Sequence, residues 1–396
     1  MKKDLFDEIM ELPVWDTHTH LESSPTVCAR DIWDIMHYYW FKIELEACGY
    51  PRDAEKLNEP ERFEALAKAM EVSRTTYWNR LVRIMMKDLF GATIHDAASY
   101  RTANERILAT AREKKRGLDI LKRVHVTKVV TAAISDTDIS DIREVLYVVP
   151  VFRNLNDRII DAVANSLKQR TKADEMAQEL DLAVQQLYDS GCRTIRLEPY
   201  PFEHIQGNIT KPPVLADTNN SRDAIVLYLG HALLSSLQRR SFHIQLFLGI
   251  WRGGQHVSSN NPWRIPVMND IFEKYPGLTF ELINAAELSA LDMVQSARAL
   301  RNVYPGGLWW HNFRASTYRL NMQYRLEALP ATRSILLASD SRHIEWLYGK
   351  TLFVKRLLAE FLNDQVKAGW LDTDAALYVA RQWLYDTAAK VYRAAS

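Results

Sequence analysis

The feature that most constrains what this chain can fold into is its alternation of short β-branched or apolar runs with helical stretches. The runs are Val14 to Leu21, His125 to Ile134, Glu144 to Phe152, Cys192 to Leu197, Phe242 to Gly249, Leu278 to Asn284, Val303 to Trp310 and Ser334 to Ser339. Between most of them, apolar residues recur at three- and four-residue spacing, as in Ala216 to Arg239, Ala286 to Leu300 and Thr317 to Leu326. Strands separated by helices in this way build a parallel sheet with right-handed crossovers. Eight such units predict an α/β fold of the closed (β/α)8 TIM-barrel class rather than an open sheet. A length of 396 residues with 47% apolar content suits one large domain with insertions or two ordinary domains. We expect a single barrel domain over residues 1–396.

Two departures from simple alternation stand out. Residues 22–123 hold no convincing strand but carry helical patterns such as Pro60 to Glu71 and Ser73 to Leu89, which predicts a helical insertion or cap after the first strand. At the far end, Ile344 to Leu362 and Ala375 to Ala394 read as extra C-terminal helices on the outside of the barrel. The polar connections Glu198 to Lys211 and Gly249 to Trp263 follow strands. In this fold they belong at the barrel mouth, where catalytic residues gather.

Charge is balanced, 50 Lys and Arg against 49 Asp and Glu, so neither a nucleic acid nor an acidic surface is an expected partner. No apolar run is long enough to span a bilayer, and the first residues lack the apolar core of a secretion signal. Cys28, Cys48 and Cys192 are odd in number and widely spaced, which suits reduced thiols in a cytoplasmic protein. The 11 Trp and 17 Tyr could line a sugar site, although large core residues are the simpler role for most of them.

Chemistry concentrates first in Trp15-Asp16-Thr17-His18-Thr19-His20. Side chains two apart on a strand point the same way, so Asp16, His18 and His20 share a face and two imidazoles aim at a common point. That arrangement suits a divalent transition metal; a buried structural histidine pair is the alternative. The last run ends in Ser339-Asp340-Ser341-Arg342. In a closed barrel the first and eighth strands are neighbours, which brings Asp340 beside the histidines as a third ligand or a catalyst. A helix N-cap would also account for Asp340. His243 is a further ligand, a donor behind the ligands, or a satisfied core histidine. Arg153, ending the third run, suits a bidentate grip on a carboxylate or an ordinary surface salt bridge, and Arg342 is a similar case. His37-Tyr38, taken alone, reads as helix packing.

Together these segments resemble the uronate isomerase (glucuronate isomerase) family of the amidohydrolase superfamily, in order and along nearly the whole chain. Asp16-Thr17-His18-Thr19-His20 resembles its Asp-Xaa-His-Xaa-His strand, and Asp31-Ile32-Trp33 with His37-Tyr38 its cap segment. Val151-Phe152-Arg153 is similar to its Ser-Trp-Arg, and Phe242-His243-Ile244 to its Tyr-His-Ile. Gly307-Leu308-Trp309-Trp310-His311-Asn312 is similar to its Gly-Trp-Trp-Phe-Asn, and Ser339-Asp340-Ser341-Arg342 to its Thr-Asp-Ser-Arg. The segment Gly191 to Glu198 departs from the family, placing Arg196 and Glu198 where it carries Ser-Asp-His.

The resemblance implies interconversion of an aldose and a ketose sugar acid, of glucuronate/fructuronate or galacturonate/tagaturonate type, through an enediol. It implies a divalent metal, with zinc the expected ion, held by His18, His20 and Asp340, with His243 as a further candidate. Asp340 doubles as the base, Tyr38 and Arg342 stabilise the enediolate, and His37, Arg153 and Trp309 contact the open-chain sugar acid. A homo-oligomer is compatible with it. The rival within enzymes is a metal-dependent hydrolase of a sugar-acid lactone or related carboxylate. The rival outside them is a barrel that has lost catalysis and serves as a sensor or structural subunit.

Overall fold

The computed structural model describes residues 4–111, 113–132, 137–153, 155–197, 205, 209–248, 265–284, 289–308 and 314–394. Its strands are all parallel and form two sheets. β1 (Val14–Asp16), β2 (Val126–Thr131) and β3 (Leu146–Val148) pair in that order. β4 (Val151–Phe152), β5 (Thr194–Leu197), β6 (His243–Leu248), β7 (Thr279–Asn284) and β8 (Val303–Leu308) form the second sheet, again in chain order.

The run Glu144 to Phe152 therefore supplies two strands rather than one. Pro150 lies between β3 and β4, and a proline has no N–H to give a ladder, so pairing is interrupted there. The opposite happens at Ser334 to Ser339. Its residues are buried, yet they form no ladder strand, and several of their backbone groups are taken by separate partners. Ile335 N–H donates to the Pro305 carbonyl and Leu336 N–H to that of Trp383, while the Ile335 carbonyl accepts from Arg325. Close packing explains the glycine in β8, since a Cβ on Gly307 would lie 2.3 Å from the Ala338 nitrogen.

By contacts the chain divides into two compact units. The first comprises Met1–Val148, His311–Arg319 and Ser339–Ala380 and contains β1 to β3. Between β1 and β2 run helices that include Ile32–Met36, Tyr39–Ala47, Glu59–Val72, Tyr77–Phe90, Ala97–Thr110 and Arg116–Lys122. Their ends carry the expected signals. Asn58 caps the helix Glu59–Val72 by accepting from Glu61 N–H, with Pro60 in the first turn, and left-handed Gly91 closes Tyr77–Phe90. Leu81, Val82, Met85, Met86 and Phe90 make the apolar stripe of the latter helix, which packs on the helix Ile344–Lys367. Gly349 permits the approach, since a Cβ there would lie 2.5 Å from the Met85 sulfur. Trp346 is fully buried in this core and donates Nε1–H to the Ile35 carbonyl. Truncating such a tryptophan to alanine costs about 3–5 kcal/mol.

The second unit comprises Val149–Trp310, Leu320–Ala338 and Arg381–Ser396 and contains β4 to β8. Every residue of β6 is buried. Arg196, Gln245 and Glu281 stand side by side in register on β5, β6 and β7. Arg196 Nε donates to Gln245 (2.8 Å), Gln245 donates to the Tyr392 hydroxyl (2.8 Å), and that hydroxyl donates to Glu281 (2.6 Å). Arg196 is thus a buried structural partner in its sheet. Glu198 lies outside the described residues, as do residues 249–263 and most of 198–208.

Candidate active site

The site begins where β1 ends. Asp16 is fully buried, and its Oδ1 accepts from the backbone N–H of His18 (3.2 Å) and of Ser339 (2.9 Å). That carboxylate ties the end of the first strand to the segment arriving from far along the chain. Beyond it, Thr19 N–H donates to the Val130 carbonyl, His20 N–H to Ser341 and Asp340 N–H to His18, and Thr19 forms a parallel bridge with Ser341. His18 and His20 fall on one side, as the alternation predicts, with their Nε2 atoms in contact. Asp340 adopts φ +54°, in the left-handed region. Aspartate tolerates that conformation better than most residues, at a cost of about 1–2 kcal/mol.

Three ligand atoms converge here. His20 Nε2 lies 3.2 Å from Asp340 Oδ1, His18 Nε2 lies 3.6 Å from the same oxygen, and the two Nε2 atoms are 3.3 Å apart. Among the described residues, His18, His20 and Asp340 are the set able to hold a metal ion. The residues fit that role on spacing as well as chemistry. A tetrahedral ion with bonds of about 2.0–2.1 Å holds its ligand atoms roughly 3.3 Å apart. Asp16 is not in the set; its carboxylate serves the backbone instead.

The electrostatics sort the two carboxyls. Burial pushes the Asp16 carboxyl up to about 7, only partly offset by the hydrogen bonds from Ser339 and His18. Burial would raise Asp340 too, but the hydrogen bonds from His18 and His20 and the nearby Lys350 charge hold it well below the usual carboxylate range. Asp340 is therefore the more readily ionised of the two.

Two residues that sequence reasoning missed support this centre. Glu22 accepts from His20 Nδ1 at 3.0 Å and from the Thr131 hydroxyl at 2.8 Å. A carboxylate on the far ring nitrogen fixes the imidazole and leaves Nε2 as the lone-pair donor. The signal was its position two residues past His20, hidden because a short 3-10 turn, Leu21–Ser23, intervenes. Lys350 is the second, buried in the helix Ile344–Lys367, with its ammonium pushed down to about 8 by burial against the opposing charges of Asp340 and Asp16. Its only sequence sign was a lysine set in the apolar stretch Trp346 to Phe353, one of three lysines in that helix.

The other expected residues are placed as follows. Tyr38, at the start of the helix Tyr39–Ala47, is buried against Trp346 and Trp78, and its hydroxyl donates to the Asp340 carbonyl (2.9 Å) and Oδ2 (3.3 Å). His37, its neighbour, turns to Tyr50 (3.0 Å) and Arg62 (3.3 Å), and burial with the Arg62 charge pushes it down to about 4. Arg342 is half-buried beside Ser341, and Arg153 is exposed just past β4. His243 opens β6, five residues and roughly 16 Å before the strand's carboxyl end at about 3.3 Å per residue. Its buried ring lies 3.6 Å from Glu281 and packs on Tyr392. Trp309 and the motif residues 310–312 lie outside the described residues.

No protein-family model and no curated protein sequence matches this chain. Solved structures do. A uronate isomerase from Thermotoga maritima aligns with a TM-score of 0.76 at 16% identity, covering 98% of this chain and 96% of that one. The fold is that of a uronate isomerase. A glucuronate isomerase from Caulobacter crescentus agrees, with a TM-score of 0.71 at 15% identity over 98% of this chain and 93% of the other. A Lactobacillus casei protein assigned as a metal-dependent hydrolase aligns at 0.62, 13% identical, over 99% and 98%. The (β/α)8 class expected from the sequence is thereby borne out. At these identities the likeness carries the fold, and the activity has to be argued from the site.

Proposed function

We propose that the protein is an aldose–ketose isomerase of sugar acids, converting a hexuronate to the corresponding ketose acid through an enediol. The observation that carries the reading is the Asp340 carboxylate, buried and shared between His18, His20 and Tyr38. Isomerisation needs a base that takes the C2 proton and returns it at C1, and donors for the oxygens whose charge changes. In our reading Asp340 moves that proton. The Arg342 guanidinium donates to the enediolate oxygens, joined by the Tyr38 hydroxyl once substrate draws its proton from Asp340, while His37, Arg153 and Trp309 hold the open-chain acid. Arg153 is the candidate for its carboxylate, since a guanidinium grips one with two parallel hydrogen bonds.

A divalent ion held by His18, His20 and Asp340, which we take to be zinc, would supply positive charge beside the reacting oxygens. Among the described residues no helix is long and apolar enough to cross a membrane. The three cysteines are free thiols, which supports our placing the enzyme in the cytoplasm. The test is proton exchange. Wild-type protein incubated with glucuronate or galacturonate in heavy water should erase the C2 proton signal without bond cleavage. Retention of that signal, with hydrolysis of a lactone, would instead favour the hydrolase reading suggested by the Lactobacillus casei likeness.

A further inference from the structure

Lys350 is buried to 1% exposure, and its ammonium has found specific work. Nζ donates to the Tyr38 hydroxyl at 2.8 Å and to the Ser339 carbonyl, and lies over the Tyr38 and Trp78 rings at 4.6 and 5.8 Å. An ammonium has donors and no acceptor. Tyr38 oxygen must therefore accept from Lys350, and its own proton is directed away, toward the Asp340 carbonyl and Oδ2. Oδ1 of the same carboxylate is the oxygen that faces His18 and His20. Burying an ammonium costs desolvation, which a residue kept only for packing would not incur.

We propose that Lys350 is a positioning residue. Through Ser339 and Tyr38 it fixes the left-handed turn at Asp340 and the rotation of its carboxylate, and so presets the third ligand of the metal site. The inference rests on the metal reading given above and not on the identity of the substrate.

The sign of its effect distinguishes this role from others. A fixed positive charge near a cation site repels the cation, so loss of the charge alone tightens binding. Loss of a positioning contact weakens it, by about 10–100-fold for groups behind metal ligands. A role in folding alone lowers the melting temperature and leaves affinity unchanged. The experiment is Co2+ titration of the full chain against a competing chelator, with the visible absorption of bound Co2+ reporting ligand geometry. Lys350→Met and Tyr38→Phe should each weaken binding about 10–100-fold and alter the absorption bands. The double variant should be no weaker than the worse single one.

Lys350→Met binding Co2+ as tightly as wild type, or more tightly, overturns the assignment. So does wild-type protein that binds no Co2+. If Lys350→Met does not fold, Tyr38→Phe decides, since it removes one hydroxyl and no charge, and unchanged affinity and absorption in that variant overturn it. Wild-type protein that binds Co2+ but isomerises no hexuronate would sink the functional reading alone, and the Co2+ comparison would still decide the role of Lys350.

Discussion

Asp340 carries the account at the scale of single residues. Asparagine has nearly the same shape and also tolerates the left-handed region, so Asp340→Asn removes charge while sparing the turn. Turnover should fall by about 10²–10⁴-fold, the usual worth of a general base, with the melting temperature little changed. An active, correctly folded variant would take Asp340 out of the chemistry. Glu22→Gln should weaken metal binding by about 10–100-fold, read by chelator competition, because His20 loses the charged partner on Nδ1. Wild-type affinity in that variant would reduce Glu22 to a surface group. His18, His20 and Asp340 were legible in the sequence because alternation along an extended segment and the end of a buried run are both visible in one dimension. Glu22 and Lys350 were not. Their roles depend on a 3-10 turn and on which face of a helix meets Tyr38, and no residue spacing encodes either.

Secondary-structure elements were legible where one period runs uninterrupted. The helix Ile344–Lys367 and strands β6 and β7 fall where periodicity puts them. The run Ser334 to Ser339 misled because a fully buried segment has the composition of a strand whether or not a neighbour completes its ladder. Helices also set the pH response. His231, in the helix Arg222–Arg239, is buried with Nδ1 2.7 Å from the Tyr275 hydroxyl and Nε2 3.0 Å from the Ile209 carbonyl. Burial, with the Lys274 charge, pushes it down to about 4 from 6.5. The unfolded chain therefore binds this proton more readily than the folded one. The stabilisation is present above pH 6.5 and is lost as pH falls through about 4. Melting temperatures between pH 7 and 4 should fall less steeply for His231→Gln than for wild type. Identical slopes would show that another group governs the acid limb.

For the molecule as a whole, the order of strands and helices announced the fold class, because parallel βα units leave few alternatives. The division of the run Glu144 to Phe152 between two sheets was not announced; it follows from the missing N–H of Pro150, a local defect inside a strong pattern. The central claim joins residues more than three hundred positions apart: the segment following the first strand and the turn at Asp340 form one cation site. Anomalous diffraction at the metal edge from crystals of the full chain tests this most directly. The account predicts one peak per chain, within about 2.0–2.2 Å of Nε2 of His18, Nε2 of His20 and a carboxylate oxygen of Asp340. A map with no peak there, or with the ion bound by other residues, would contradict it.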